Sequence, residues 1–586
     1  MRQWMVAAKK ADFYAIAEKF HVDPVVARII RNREVIGEKN IRIYLGGNLS
    51  DLSDPHQMKD MDRLVEILVQ KIRKQAHIRI IGDYDVDGVT SSHLFLTALR
   101  RVGAKVDVVI PHRIQDGYGL SLHLLQQAKE DGVDTILTCD NGIAAIDEIA
   151  WAKAQKMTVL VTDHHAVPFE EHEGRRTEKK SLADAVVNPH QQDCGYPYKE
   201  LCGAGVAWNV IRVLYENYDM DKREAEDLLD FVAMATVCDV MSLTGENRIL
   251  VKEGLKRIRH TKNIGLQALM QACNVQPENI SAYHFGYVLG PCVNATGRLD
   301  TARHALRLFE TGQETEAEEI ARDLVDLNQE RKELTLQGVE MAKKLCEEGG
   351  YENDPVLVLF LPDVHESIAG LIAGRIREMY NRPVFVLTRG EEGVKGSGRS
   401  TENYSMYENM CGCAELFTKF GGHPMAAGLS LPEENVEKFR RKINENCPLT
   451  VEEVCPDIHI DMAMPVGYAS TELVHQFALL EPFGKDNPSP LFADRNLSIS
   501  RMWVIGKNRN VLRMSVLSEY GQPVPVIFFG DVETLFAYFT EKFGQKEVEN
   551  ALHGRKNRIL FSMVYTAKVD FYQGNENLQL EMKYYR

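Results

Sequence analysis

The stretch Ile78–Gly88, IRIIGDYDVDG, decides the fold. A short β-branched run stops at a glycine, three carboxylates follow within five residues, and a helical stretch, SSHLFLTALRRVG, comes next. The same grammar recurs in KVDVVIPHR (105–113), DTILTCDNG (134–142), MTVLVTDHH (157–165) and ADAVVNPH (183–190). Short apolar strands that alternate with helices read as a parallel sheet covered on both faces. In such a sheet, ligands bind beyond the carboxyl ends of the strands. The acidic and histidine residues of these runs sit at those ends.

Asp83, Asp85 and Asp87 crowd like charges together, which is costly unless a cation neutralises them. Taken alone, the run is equally an acidic loop in solvent. Repetition separates the readings: Asp140 ends another strand, Asp163-His164-His165 ends a third, and Asp239 lies in the apolar segment ATVCDVMSL. Carboxylates and imidazoles suit Mn²⁺ or Mg²⁺ better than a thiolate-seeking metal. Two such ions can hold a hydroxide and stabilise an in-line displacement at phosphorus, which is phosphoesterase chemistry.

The remaining chain divides by composition. From Thr301 to about Gly349 the sequence is rich in Glu, Leu, Ala and Lys at helical spacing and ends in paired glycines, the pattern of a long connecting helix. A mixed segment follows to about Pro448, with strands in VLVLFLP and RPVFVLT and glycine-rich VKGSGRS and FGGHPMAAG. From Asp457, short strand-like runs and turns suggest a small β-barrel. A length of 586 residues implies several units. The net charge of -15 argues weakly against a nucleic-acid partner, although a metal-binding centre is acidic even where the substrate track is basic. The 11 cysteines include no CxxC pair, so neither a disulfide framework nor a structural zinc site is implied. No apolar run approaches the ~20 residues of a membrane span, so a cytoplasmic protein with no membrane partner is expected.

The ordered motifs GDYDVDG, TCDNG, TDHH and ATVCDV resemble the metal-binding motifs of the DHH phosphoesterase superfamily. That resemblance implies Asp85, Asp87, Asp140, His164 and Asp239 as ligands of two Mn²⁺ or Mg²⁺ ions. It makes Asp83 a ligand or its supporting partner, and sets His165 against the scissile phosphate. Within the superfamily, PHRIQDGYGL, GPCVNATGRL and LLEPFGKDNPSPLF resemble elements of the RecJ exonuclease family. Arg113 and Arg298 would then lie along DNA phosphates, and Ser397, Arg399 and Arg113 would hold a 5′-terminal phosphate. Gly421, Gly422 and His423 would face the metals across a cleft. Glycines in KGSGRS would let backbone amides approach the phosphate. The sequence departs from the family pattern at Val364, Ser367 and Cys292, where Trp, Gly and Arg are usual.

The fold implied is α/β: a parallel-sheet DHH domain with the N-terminal segment (1–300), a connecting helix (301–350), a second α/β DHH-associated domain (351–455) and a C-terminal OB-like β-barrel (456–586). The activity implied is a 5′ to 3′ exonuclease specific for single-stranded DNA, releasing 5′-mononucleotides in DNA repair and recombination. A helicase and a single-strand-binding protein are its candidate partners. Trp503, Tyr565, Phe571 and Tyr572 are candidate stacking platforms. Two alternatives share the metal motifs: a phosphodiesterase for cyclic dinucleotides or short oligonucleotides, and a non-catalytic DHH-like replication scaffold. The first leaves the barrel unexplained, and intact ligands argue against the second.

Overall fold

The computed structural model describes residues 3–113, 116, 119–172, 175–299, 301–390, 393–506, 509–572 and 574–586. The chain forms two compact units, one of residues Asn48–Pro456 and the other of Arg2–Gly47 with Asp457–Arg586. Among the described residues no helix is long and apolar enough to cross a membrane.

In the first unit, β1 (Ile78–Ile81), β2 (Val106–Val109), β3 (Thr135–Cys139), β4 (Thr158–Thr162) and β5 (Ala185–Val187) form an all-parallel sheet in the order β2-β1-β3-β4-β5. Side chains alternate between its faces. Ile78, Ile80, Leu137 and Leu160 join one core, while Ile81, Ile136, Val159 and Val161 join another with Leu124, Leu125 and Ile149. The chain leaves β1 for β2 on one side and returns to β3 on the other, so the strand order reverses around β1. That reversal opens a crevice beyond the carboxyl ends of β1 and β3. Helix α1 (Val86–Arg101) starts at this crevice, capped by Asp85, whose side chain accepts from the Gly88 amide at 3.0 Å.

Further helices complete this half: α2 (Gly203–Glu216), α3 (Leu229–Cys238), α4 (Ile264–Ala272) and α5 (Gly290–Leu299). The expected connecting helix is two helices. Ala302–Glu310 is short and buries Ala305, Leu306, Leu308 and Phe309 in the first core. Helix α6 (Glu314–Glu348) then runs 35 residues. Its first half places Ala317, Ile320, Ala321 and Leu324 in the core of the parallel sheet, and its second half places Val339, Ala342 and Cys346 in the next core. One helix thus belongs to both.

The second sheet comprises β6 (Leu357–Phe360), β7 (Val384–Gly390), β8 (Gly393–Arg399), β9 (Lys419–Gly422) and β10 (Ala426–Leu431), ordered β9-β10-β8-β7-β6. β6 and β7 are parallel, joined through helix α7 (Ala369–Tyr380), and the other pairs are antiparallel.

In the second unit, β11 (Phe492–Ile505), β12 (Val511–Leu517), β13 (Pro523–Phe529), β14 (Leu560–Tyr572) and β15 (Asn575–Tyr585) pair as β11-β12-β13-β15-β14, and β14 pairs back to β11. The ring is closed and OB-like. The first 47 residues correct an expectation: placed by sequence in a 1–300 domain, they pack instead with this ring. Val26, Ile29, Ile30 and Tyr44 share a core with Phe492, Met514 and Phe561, and Trp4–Val6 pairs in parallel with Ile458–Ile460. Arg33 forms a bidentate ion pair with Asp461, at 2.7 and 3.2 Å, with both side chains over 90% buried. An amphipathic helix announces that it has an apolar face, and it does not say which core will cover it.

Of the proposed stacking aromatics, Tyr565 is fully buried and donates to the Met464 carbonyl, so it is a core residue. Phe571 is exposed and Trp503 partly so, and the side chain of Tyr572 lies outside the described residues.

Candidate metal and phosphate site

Three groups of ligand atoms, each within 4.8 Å of one another, gather at the crevice: Asp83, Asp85 and Asp140; Asp87, His164 and Asp239; and Asp140, His164 and His165. They come from the ends of β1, β3 and β4, from the start of α1 and from the end of α3. Each is held by local structure. Asp87, buried on the first turn of α1, accepts from the Gly203 and Ala204 amides at 2.6 and 2.7 Å, where unpaired N–H groups at the start of α2 favour a negative charge. Asp140 has φ +61°, a left-handed conformation that Asp and Asn tolerate better than most residues. Gly203 lets it sit there, since a Cβ on Gly203 would lie 2.6 Å from that of Asp140.

Asp163 organises the histidine pair. Its Oδ1 accepts from the His164 amide, the His165 amide and His165 Nδ1 at 2.7, 3.1 and 2.8 Å, and its Oδ2 accepts from the Ile143 amide. The Nδ1 of His165 is thereby engaged, which fixes the orientation of its ring. Asn188, at the end of β5, donates to the His165 carbonyl at 2.9 Å.

The electrostatics are those of a cation site. Burial and the charge of Asp85 push the Asp83 carboxyl well above its ordinary range. Burial, with Asp87, Asp85, Asp239 and Asp83 nearby, does the same to Asp140, and burial with Asp87 raises Asp85. Burial lowers His164. It opposes protonation of His165 too, but the hydrogen bond and charge of Asp163 raise that group to about 9. Nε2 of His164 lies 3.0 Å from Asp140 Oδ1 and 3.6 Å from both Asp87 Oδ2 and Asp239 Oδ2, yet it makes no well-directed hydrogen bond. Among the described residues, buried Asp83 Oδ1 likewise has no hydrogen-bond partner. Buried polar atoms are ordinarily satisfied, and this donor set fits oxygen- and imidazole-seeking divalent cations.

Tyr84, between two of these carboxylates, lines a cleft of about 550 Å³ with Arg113, Ser397, Lys395, Lys419, Phe420 and Gly421. Arg113 stacks over the Tyr84 ring at 5.0 Å. Arg399 donates to Ser397 Oγ at 3.4 Å and to the Gly398 carbonyl at 2.7 Å. Burial, then the charges of Arg113 and Arg377, lower the Arg399 guanidinium. Burial, with Arg113, Arg331 and Arg399, lowers Arg298 to about 10. Among the described residues, none of Arg113, Arg298 and Arg399 has a carboxylate partner within 4.0 Å.

Three further sets of expected residues have the following surroundings. Arg298 donates to the Ser367 carbonyl at 2.6 Å and does not line the cleft, so its visible contact ties α5 to the segment preceding α7. His423 is exposed beyond β9, and neither it nor Gly422 lines the cleft, although Gly421 does. The KGSGRS glycines are required by packing: a Cβ on Gly396 would lie 2.4 Å from Leu387, and one on Gly398 would lie 2.4 Å from Met406 Sδ. The glycine that opens space is Gly370, near the start of α7, where a Cβ would lie 2.8 Å from Ser397 Oγ and 2.9 Å from an Arg399 nitrogen. Neither Gly370 nor the Gly203 and Ala204 amides carries a sequence signal for this. Asn188 does, being a polar residue at a strand end like the ligands.

Comparisons with known proteins agree with this architecture. The DHH family N-terminal domain matches residues 77–236, the DHHA1 domain 353–447 and the RecJ OB domain 460–584. The chain is 32% identical over 581 residues to the single-stranded-DNA-specific exonuclease RecJ of Haemophilus influenzae, covering 96% of each chain. It is 33% identical over 512 residues to that of Bacillus subtilis, covering 87% of this chain and 63% of the relative. The crystal structure of Thermus thermophilus RecJ in complex with Mn²⁺ superposes with a TM-score of 0.79 at 25% identity, covering all of this chain and 79% of the other. On its domain complement, its metal-ligand constellation and its identity to full-length relatives, the chain belongs to the RecJ family of the DHH superfamily.

Proposed function

We propose that the protein is a metal-dependent exonuclease that digests single-stranded DNA from the 5′ end and releases 5′-mononucleotides. The observation that carries this reading is the gathering of Asp83, Asp85, Asp87, Asp140, His164, His165 and Asp239 around Tyr84, which lines a cleft with Arg113 and Ser397, and Arg399 donates to that serine. The relatives named above are single-stranded-DNA-specific exonucleases, and one was crystallised with Mn²⁺.

Mn²⁺ or Mg²⁺, held by Asp85, Asp87, Asp140, His164 and Asp239 with Asp83 alongside, would supply Lewis acidity and a hydroxide nucleophile. The protein's own groups do the rest. Ser397, Arg399 and Arg113 receive the 5′ phosphate, whose charge relieves the repulsion among the buried guanidiniums. Tyr84 lies between that phosphate and the carboxylates. Asp163 fixes His165 through Nδ1 and so orients its ring, which meets the scissile phosphate. Gly421 lines the cleft from the second sheet with Gly422 and His423 adjoining it, and Arg298, tied to the Ser367 carbonyl, lies along the path of the strand's phosphates. A strand must be single before its end can enter, so a helicase and a single-strand-binding protein are the partner classes this activity calls for. A DNA substrate in turn calls for a cytoplasmic location.

The test is product analysis. With Mn²⁺, 5′-phosphorylated single-stranded DNA should be converted to mononucleotides while blunt duplex stays largely uncut. Equal turnover of a cyclic dinucleotide would overturn the assignment in favour of a small-substrate phosphodiesterase.

A further inference from the structure

Two thiols outside the site face each other across two helices. Cys273 caps the end of α4, Cys292 lies on α5, and their sulfurs are 3.7 Å apart. Cys292 is buried and fixed in place: its thiol donates to the Val288 carbonyl at 3.3 Å, and its sulfur accepts from Asn328 Nδ2 of α6 at 3.3 Å. Cys273 is half-buried and reaches solvent.

The helix that carries Cys292 touches the metal loop. Asn294 Oδ1 accepts from the Val86 amide at 3.2 Å, Gly297 packs so closely that a Cβ would lie 2.5 Å from the Tyr84 carbonyl, and Arg298 donates to the Ser367 carbonyl. We propose that Cys273 and Cys292 form a reversible disulfide site, closed by hydrogen peroxide, that restrains the helix bearing Asn294 and Arg298 and so lowers turnover at the carboxylate cluster.

The chemistry balances in two steps. The Cys273 thiolate attacks the peroxide, breaking the O–O bond to give a sulfenic acid and, after protonation of the leaving oxygen, water. The Cys292 thiol then displaces the sulfenic oxygen as a second water, forming the S–S bond. A dithiol reverses the reaction by exchange. The environments assign the roles: contact with Cys292 and the Lys332 charge hold the Cys273 thiol below its ordinary value, while contact with Cys273 and burial push the Cys292 thiol up. The accessible thiol is the nucleophile and the buried one resolves it. Closing from 3.7 Å to a bond of about 2.05 Å draws the sulfurs together by roughly 1.6 Å. A displacement of about 1 Å near a catalytic centre can cost on the order of a hundredfold in rate.

The experiment treats the full-length protein with a small excess of hydrogen peroxide, blocks free thiols and maps peptides by mass. The expected result is a 273–292 crosslink, 2 Da lighter than the reduced pair, formed before exposed Cys411 is oxidised. It is absent in Cys273→Ser. Turnover should fall at least tenfold and return with dithiothreitol, while Cys273→Ser keeps its turnover under peroxide. Oxidation of Cys411 with Cys273 and Cys292 still free would overturn the site. A complete crosslink with unchanged turnover would overturn the restraint. The mass readout is independent of whether DNA is the substrate.

Discussion

Replacing Asp140 by Asn tests the electrostatic account of the site without any nucleic acid. Asp140 belongs to two of the three ligand-atom groups, and Asn tolerates its left-handed backbone, so the change removes charge and leaves conformation alone. In the metal-free wild type, the raised carboxyls mean that the folded state binds protons more tightly than the unfolded state. Stability therefore falls as pH rises above about 3.8 through the folded-state values, and neutral pH is the unfavourable side. Asn removes part of that repulsion, so at pH 7.5 the metal-free variant should melt above the metal-free wild type. With Mn²⁺ the order reverses. A site occupied at a hundredfold excess over its Kd contributes about 2.7 kcal/mol, so two contribute about 5 kcal/mol. An unfolding entropy of about 2.1 cal/mol/K per residue, over the roughly 400 residues of the first unit, converts this to a shift of about 6 °C. The variant, left with at most one competent group, should shift by less than about 3 °C. Calorimetry of both proteins with chelator and with Mn²⁺ measures all four midpoints. A variant that melts lower without metal and keeps the wild-type Mn²⁺ shift would refute the reasoning.

Three further outcomes are expected. Arg399→Ala should lower kcat/KM on 5′-phosphorylated DNA about 10- to 100-fold, the worth of about 1.5–3 kcal/mol for a charge-assisted hydrogen bond, and on 5′-hydroxyl DNA by less than about threefold; equal losses on both would remove Arg399 from end recognition. Buried His93, held down to about 3 by burial and then by Arg100, stays neutral in the folded state, so stability should fall by about 2 kcal/mol between pH 7 and pH 5 as the unfolded chain takes up the proton. His93→Phe, filling the same space against Phe231 and Phe309, should flatten that slope in denaturant titrations, and an unchanged slope would count against the assignment. Asp461→Ala should strand the buried Arg33 guanidinium and cost about 3–5 kcal/mol in the second unit, seen as an earlier denaturation step, whereas a loss below about 1 kcal/mol would show the pair to be solvated.

The sequence by itself determined the parallel sheet and the acidic and histidine residues that stand at the ends of its strands. Strand runs that end in Asp or His carry both messages locally: a buried parallel strand must be apolar throughout, and its carboxyl end is where polar chemistry is tolerated. Tertiary structure alone decided three things. It moved the first 47 residues into the core of the OB-like ring, because an apolar helix face is satisfied by any complementary surface. It assigned the KGSGRS glycines to packing and gave the close approach to Gly370, because what a missing Cβ makes room for depends on the opposing element. It also paired Cys273 with Cys292 and set Arg298 on the Ser367 carbonyl, contacts between residues 19 and 69 positions apart that no local pattern encodes. Local physics fixes which groups stand at the end of a strand, and only packing fixes what they meet there.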